Sequence, residues 1–314
     1  RKDRCKEKLM LSQDQQIQQV QQRVLDIYKV FKALCEKHDL QFFSSGGTSI
    51  GAVLYNGFIP WDDDIDINMP REDYDKFIEI AKTELPSYLE LFNAVNSTHS
   101  DIHFLKLHDN RTMFTADILL KYPDCYTGIF IDIEPVDSAP TDSKEREKWY
   151  YEVDRLYCYD LVRKFGKTYL YPDTMEWIYP NRVKRAIAYY LLHLFPSDFF
   201  AKLYEKKQKR INRLYSFHEA THVTFPRYGM FRSNHMWETS ASDWNGYVEY
   251  PFEDTTIRVP TGYEDIMLHQ YGFIPTMEKQ KAYETAADTH HIAGGKLDLQ
   301  RSYKEYQNDM RRKK

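Results

Sequence analysis

Two features within residues 46–67 could do chemistry together. Gly46-Gly47-Thr48-Ser49-Ile50-Gly51 is a turn of small residues. Trp61-Asp62-Asp63-Asp64-Ile65-Asp66-Ile67 follows about fifteen residues later, with carboxylates that alternate with isoleucines. Alternation predicts a strand, and residues two apart on a strand share a face. Asp64 and Asp66 are therefore expected to point one way, and Ile65 and Ile67 into a core. Two carboxylates on one face repel unless a cation lies between them. Mg²⁺, or Mn²⁺ in its place, suits hard oxygen ligands and is commonly shared with substrate phosphates. The glycine turn offers backbone N–H groups of Gly46 and Gly47, with the hydroxyls of Thr48 and Ser49, to a phosphate. Together these residues suit a nucleotide substrate.

Elements on either side must position that pair. Ile17, Val20, Val24, Ile27, Phe31 and Leu34 recur at spacings of three and four, which predicts an amphipathic helix over 12–38. Its Gln15–Gln22 stretch reads as a solvated face. A short strand is expected over 40–45, a helix over 48–55 and the carboxylate strand over 64–69. Pro70 then opens a helix with acidic residues in its first turns. Strand-like segments follow at 88–95, 102–108 and 111–119, and again at Gly128-Ile129-Phe130-Ile131-Asp132-Ile133-Glu134. Helices are expected over 142–164, 181–194 and 197–215, β structure over 222–260, and a short helix over 262–271. The polar stretch 276–314 is expected to fray or to wrap the surface.

The bulk of the chain narrows the classes. Its 314 residues are 42% hydrophobic and 29% charged, as in a globular protein. A net charge of −4 gives no global basic field for nucleic acid. Cys5, Cys35, Cys125 and Cys158 form no CxxC pair, so zinc-finger spacing is absent and a reducing compartment is expected. No apolar run approaches the roughly 18 residues of a spanning helix. The stretch Arg1-Lys2-Asp3-Arg4 has no apolar core of a signal peptide, and an upstream segment or anchor stays open. The segment around 181–194 is basic and aromatic at once, through Arg182, Lys184, Arg185, Tyr189, Tyr190, Leu191, Leu192 and Phe195. It reads either as a helix lying on anionic lipid or as a core helix with a solvated basic edge. Trp237, Trp244, Tyr247 and Tyr250 could supply an aromatic cage for a choline headgroup, and equally a core cluster. The pair His290-His291 reads as metal- or acceptor-facing, or as solvated tail.

Three strings resemble the LicD family: Gly47-Thr48-Ser49-Ile50-Gly51-Ala52-Val53, then Gly57-Phe58-Ile59-Pro60-Trp61-Asp62-Asp63-Asp64-Ile65-Asp66, then Met69-Pro70-Arg71-Glu72-Asp73-Tyr74. The resemblance continues at Gly128–Asp137 and returns weakly at Val259–Glu264 and Tyr271-Gly272. That family includes bacterial phosphocholine transferases and is related to fukutin and fukutin-related protein. The resemblance implies an α+β fold, with a nucleotidyltransferase-like mixed sheet, flanking helices and a helical insertion. Residues 1–141 would form the catalytic core with an N-terminal helix. Residues 142–215 would be the insertion, membrane-proximal or acceptor-binding; 216–275 would complete the catalytic domain, and 276–314 would be a charged tail.

The implied activity is transfer of a phospho-alcohol, phosphocholine from CDP-choline first, to a hydroxyl of a cell-surface glycan or its lipid-linked precursor. Glycerol phosphate or ribitol phosphate transfer, or nucleotidyl transfer from an NTP, are the alternatives. Asp64, Asp66 and a third carboxylate, Asp132, would hold the metal, with Asp132 as general base. Lys106 and Arg111 would neutralise donor phosphate. Asp62, Asp63 and Trp61 would support the site, and Glu134, where the family commonly has an apolar residue, would join it or face solvent. Tyr55-Asn56 stands where a basic residue is frequent. The implied location is the cytoplasm, with peripheral contact at the inner membrane face, or the Golgi lumen in a eukaryote.

Overall fold

The computed structural model describes residues 13–93, 95, 99–100, 102–165, 182–224, 238–284 and 294–312. Cys5, Trp237, His290 and His291 lie outside the described residues. The chain is α+β, built on a mixed sheet. Helix α1 (Gln13–Lys37) is followed by β1 (Phe43–Ser44), α2 (Gly46–Tyr55), β2 (Asp66–Pro70) and α3 (Arg71–Glu84). Then come β3 (Leu89–Phe92), β4 (Leu105–Asp109), β5 (Met113–Ala116) and β6 (Phe130–Ala139). The sheet order is β1-β2-β6-β4-β3. β2 runs parallel to β6, and the other three neighbours are antiparallel.

All ten residues of β6 are buried, as expected of the central strand. One sheet face is apolar: Ile65, Ile67, Ile131, Ile133, Leu105 and Leu107 join one core with α1. Phe31 of α1 packs edge-on against Phe42, with ring centroids 5.2 Å apart, and against Phe77 of α3 at 5.0 Å. Truncating such a ring to Ala costs about 3–5 kcal/mol. The other face carries Asp66, Asn68, Lys106, Asp132 and Glu134, because the pleat sends alternate residues there.

Helices α4 (Ser143–Phe165), α5 (Arg182–Leu192) and α6 (Phe199–Leu214) form a second core around Trp149, Val153, Leu161, Tyr204 and Ile211. A buried ionic cluster ties α6 to the sheet. Arg71, at the first turn of α3, binds Asp137 of β6 through Nε at 2.6 Å and Nη2 at 2.7 Å, and Glu205 of α6 at 2.9 Å. Asn212 of α6 also donates to Asp137.

β7 (His222–Thr224) pairs with the end of β6, and β8 (Glu238–Ser240) with β7. β9 (Tyr247–Phe252) and β10 (Thr255–Pro260) form a hairpin, followed by α7 (Tyr263–Tyr271) and α8 (Met277–Glu284). Residues 294–312 wrap back onto the sheet end. β11 (Gly295–Asp298) pairs with β5, and α9 (Tyr303–Arg312) buries Tyr303, whose hydroxyl donates to Glu90. Cys35, Cys125 and Cys158 are buried free thiols. Among the described residues, no helix is long and apolar enough to cross a membrane.

Candidate active site

The site is built where β1, α2 and β2 meet β6. Gly46 opens α2 with φ at +49°, a left-handed conformation that lets the chain turn from strand into helix without a Cβ penalty. Ser45 caps the helix without a side-chain hydrogen bond. The first N–H groups of a helix have no intrahelical acceptor, and the dipole there favours negative charge. The Asp66 carboxylate lies beside this turn: a Cβ on Gly46 would sit 3.5 Å from Asp66 Oδ2 and 3.4 Å from the Tyr271 hydroxyl. A Cβ on Gly47 would fall 2.7 Å from Asp62 Oδ2. The acidic loop therefore packs directly on the helix start.

The hydroxyls of Thr48 and Ser49 also make contacts within the protein. Thr48 Oγ1 accepts the backbone N–H of Asp66 at 2.9 Å, and Ser49 Oγ shares a hydrogen bond with Ser44 Oγ at 2.8 Å. Both side chains are buried. They lock α2 to the carboxylate strand and to β1.

The carboxylates form two groups. Asp62, Asp63 and Asp64 bring one ligand oxygen each within 4.8 Å of one another. Asp66 stands opposite Asp132 in the parallel β2–β6 register. Among the described residues, Asp64 does not close a ligand group with Asp66 and Asp132. The alternation nonetheless runs back through this stretch: Asp64 and Asp66 are partly exposed, Ile65 and Ile67 are buried, and the Ile65 carbonyl accepts the Asp132 N–H at 2.9 Å. Asp132 Oδ1 is 2.7 Å from Lys106 Nζ on the facing strand β4, and that ammonium lies 3.2 Å from the centre of the Phe130 ring. The donor set of Asp62, Asp63 and Asp64, all hard oxygens, fits a divalent ion such as Mg²⁺.

Two further expected residues, Arg111 and Glu134, are each engaged by a neighbour. Arg111 lies beyond the end of β4, its guanidinium clamped on Asp109 at 2.8 and 2.7 Å and stacked over Tyr88. It lies in the turn after β4, where the Asn110 N–H donates to the Tyr88 carbonyl. Glu134 shares the sheet face of Asp66 and Asp132 and does not face solvent. It is buried and accepts from Asn68 Nδ2 at 3.4 Å. Trp61 is half-buried and packs on Tyr55. Trp244 is a core residue, edge-on to Phe43, with its indole N–H on Thr239.

Two contributors were not visible as site residues in the sequence. Gln21 of α1 donates from Nε2 to the Asp62 carbonyl at 2.8 Å, so one member of the Gln-rich run fixes the acidic loop instead of facing water. Tyr271, at the end of α7, reaches Gly46 from more than two hundred residues away. Its place in the weak Tyr271-Gly272 resemblance was the only hint.

Residues 39–156 match the family model for the LicD/FKTN/FKRP nucleotidyltransferase domain. The chain carries a LicD-family nucleotidyltransferase domain. The LicD domain contains Gly46, Gly47, the acidic loop, Asp66, Lys106 and Asp132, whereas Gln21 and Tyr271 reach it from outside. Over 286 residues the chain is 27% identical to the lipopolysaccharide cholinephosphotransferase LicD of Haemophilus influenzae, covering 85% of this chain and 93% of that protein. An uncharacterized protein of Rickettsia prowazekii is 30% identical over 113 residues, covering 32% of this chain and 42% of its own. One of Rickettsia typhi is 28% identical over 200 residues, covering 61% and 57%.

Proposed function

We propose that this LicD-family transferase moves phosphocholine from a nucleotide-activated donor, CDP-choline first, to a hydroxyl of a lipopolysaccharide or another cell-surface glycan. The observation that carries the reading is the meeting of Asp66, Asp132 and the Asp62–Asp64 loop at the start of α2. The name and 93% coverage of the Haemophilus relative support the choice of phosphocholine.

In this reading the acceptor oxygen attacks the phosphorus that bears choline. The new bond is oxygen to phosphorus, the donor's pyrophosphate bond breaks, and a nucleoside monophosphate leaves. The backbone N–H groups of Gly46 and Gly47 bind donor phosphate oxygens. Asp132, held in place by Lys106, takes the hydroxyl proton. Asp62, Asp63 and Asp64, with Asp66 and Asp132 beside them, would hold Mg²⁺ or Mn²⁺. When bound, such an ion supplies positive charge against the phosphates. Positioning and neutralisation are most of what phosphoryl transfer asks of a protein.

Calorimetric titration of CDP-choline, CDP-glycerol and CDP-ribitol, each with and without Mg²⁺, tests the donor. Mg²⁺-dependent binding of CDP-choline that Asp64→Asn abolishes supports the proposal. Binding of an NTP with none of the three replaces it by nucleotidyl transfer.

A further inference from the structure

The transfer chemistry leaves one large surface unused, on the helical part. α5 turns Ala188, Tyr189 and Leu192 inward to the α4 core. Its other side carries Val183, Ile187, Tyr190 and Leu191, and Leu194 follows in the turn after it; these are 55% to 80% exposed. At about 100° per residue, Val183, Ile187 and Tyr190 fall within a stripe of roughly 60°, with Leu191 at its edge. The ridge continues through the α5–α6 turn, where exposed Phe195 stacks on exposed Phe199 at 4.8 Å. Scattered exposed apolar residues are ordinary; a contiguous ridge of this kind marks an interaction surface.

The charge beside the ridge indicates what covers it. Residues 182–214 hold nine Lys and Arg against two Asp and Glu; Arg185 is buried and Lys202, Lys207 and Lys209 are ion-paired, whereas Lys184, Lys206, Arg210 and Arg213 are exposed. α4 and α6 enclose a groove of about 400 Å³, lined by Leu203, Lys206, Lys207 and Arg210 from α6 and by Glu152, Arg155 and Tyr159 from α4; Tyr159 packs on Phe200, which touches Phe199. Glu152 neutralises Lys207, and Lys206 and Arg210 add charge beyond that pair. A second copy of the chain would set one strongly basic face against another, which like-charge repulsion opposes.

We propose that this face docks on an anionic lipid bilayer. α5 lies in the plane of the interface with its ridge at the headgroup–acyl boundary, and the α4–α6 groove faces lipid phosphates. Apolar burial and attraction of basic residues to anionic headgroups act together in such contacts. This inference stands independently of which group the enzyme transfers.

Co-sedimentation with vesicles of phosphatidylcholine alone, and of phosphatidylcholine mixed with phosphatidylglycerol, tests it. The wild-type chain is expected on the mixed vesicles and not on the neutral ones, with binding weakened by salt. The doubles Ile187→Asp/Leu194→Asp and Lys206→Glu/Arg210→Glu should each lower the partition coefficient about tenfold or more. All four sites are on the surface, so melting curves should match wild type. Absent binding to mixed vesicles overturns the proposal, as does equal binding to both vesicle types or undiminished binding by both doubles. Concentration-dependent dimers that Ile187→Asp/Leu194→Asp abolishes, without vesicle binding, would assign the face to a second copy instead.

Discussion

Asp66 and Asp132 are register partners on adjacent parallel strands, and the Lys106 ammonium bridges from a third strand to Asp132. Two neighbouring carboxylates answered by one ammonium leave net negative charge at the site. Asp66→Asn and Asp132→Asn, each nearly isosteric, should lower the transfer rate about a hundredfold or more with melting temperature almost unchanged. Steady-state kinetics with a thermal melt of each variant checks this; wild-type turnover in either one removes that residue from the mechanism.

Gly47→Ala should act on activity more than on stability. The added methyl would come 2.7 Å from Asp62 Oδ2, the end of a side chain that can move aside. The acidic loop then shifts while the fold persists, so divalent-cation affinity and turnover should fall together, by about tenfold or more. Mn²⁺ titration followed by electron paramagnetic resonance reads the affinity. Gly128→Ala is the contrast, because its Cβ would meet the Asp109 carbonyl at 1.8 Å, backbone against backbone. That variant should lose folding stability.

Arg71→Met tests the buried ionic cluster. Asp137 is fully buried and depends on the Arg71 fork, and burial still holds its carboxyl above the usual range. Removing the guanidinium strands that carboxylate and should cost about 3–5 kcal/mol of stability. The double variant Arg71→Met/Asp137→Leu should recover much of the loss. Urea denaturation of the wild type and both variants gives the comparison.

Two buried groups should make stability depend on pH in opposite directions. Burial lowers His108 to about 4, so the unfolded chain takes up a proton first, and stability falls as pH drops from about 6.5 to 4. Burial raises Asp154 to about 6, so its ionisation opposes folding, and stability falls as pH rises from about 4 to 6. Each effect amounts to roughly 3 kcal/mol and they largely cancel over this window. Asp154→Asn should therefore unmask a stability that rises with pH between 4 and 6.5. Denaturant midpoints at pH 4.5 and 7 would be flat in this variant if His108 were not buried in its neutral form.

Much of this arrangement was legible in the sequence because it rests on local periodicity. The 3–4 spacing of Val20, Val24, Ile27 and Phe31 places α1, and alternation around Ile131–Glu134 places the two faces of β6. Asp66 and Asp132 follow from that alternation. The same alternation reaches back to Asp64, but its gathering with Asp62 and Asp63 is a loop arrangement that no strand pattern encodes. Thr48 and Ser49 have the residue types of a phosphate cradle; that Thr48 also accepts the Asp66 N–H and Ser49 bonds to Ser44 is tertiary and not visible in the sequence. Arg111 sits in the turn after β4 with its guanidinium on Asp109, a pairing that residue type and spacing alone do not announce. Gln21 and Tyr271 act over long sequence separations, which no local pattern encodes.

The most direct test of the central claim is a transfer assay with CDP-choline labelled in the choline methyl groups and a lipopolysaccharide acceptor. The account predicts label on the acceptor, stoichiometric release of cytidine monophosphate, and loss of both in Asp66→Asn. Release of pyrophosphate from an NTP with no choline transfer, or transfer undiminished in Asp66→Asn, would contradict it.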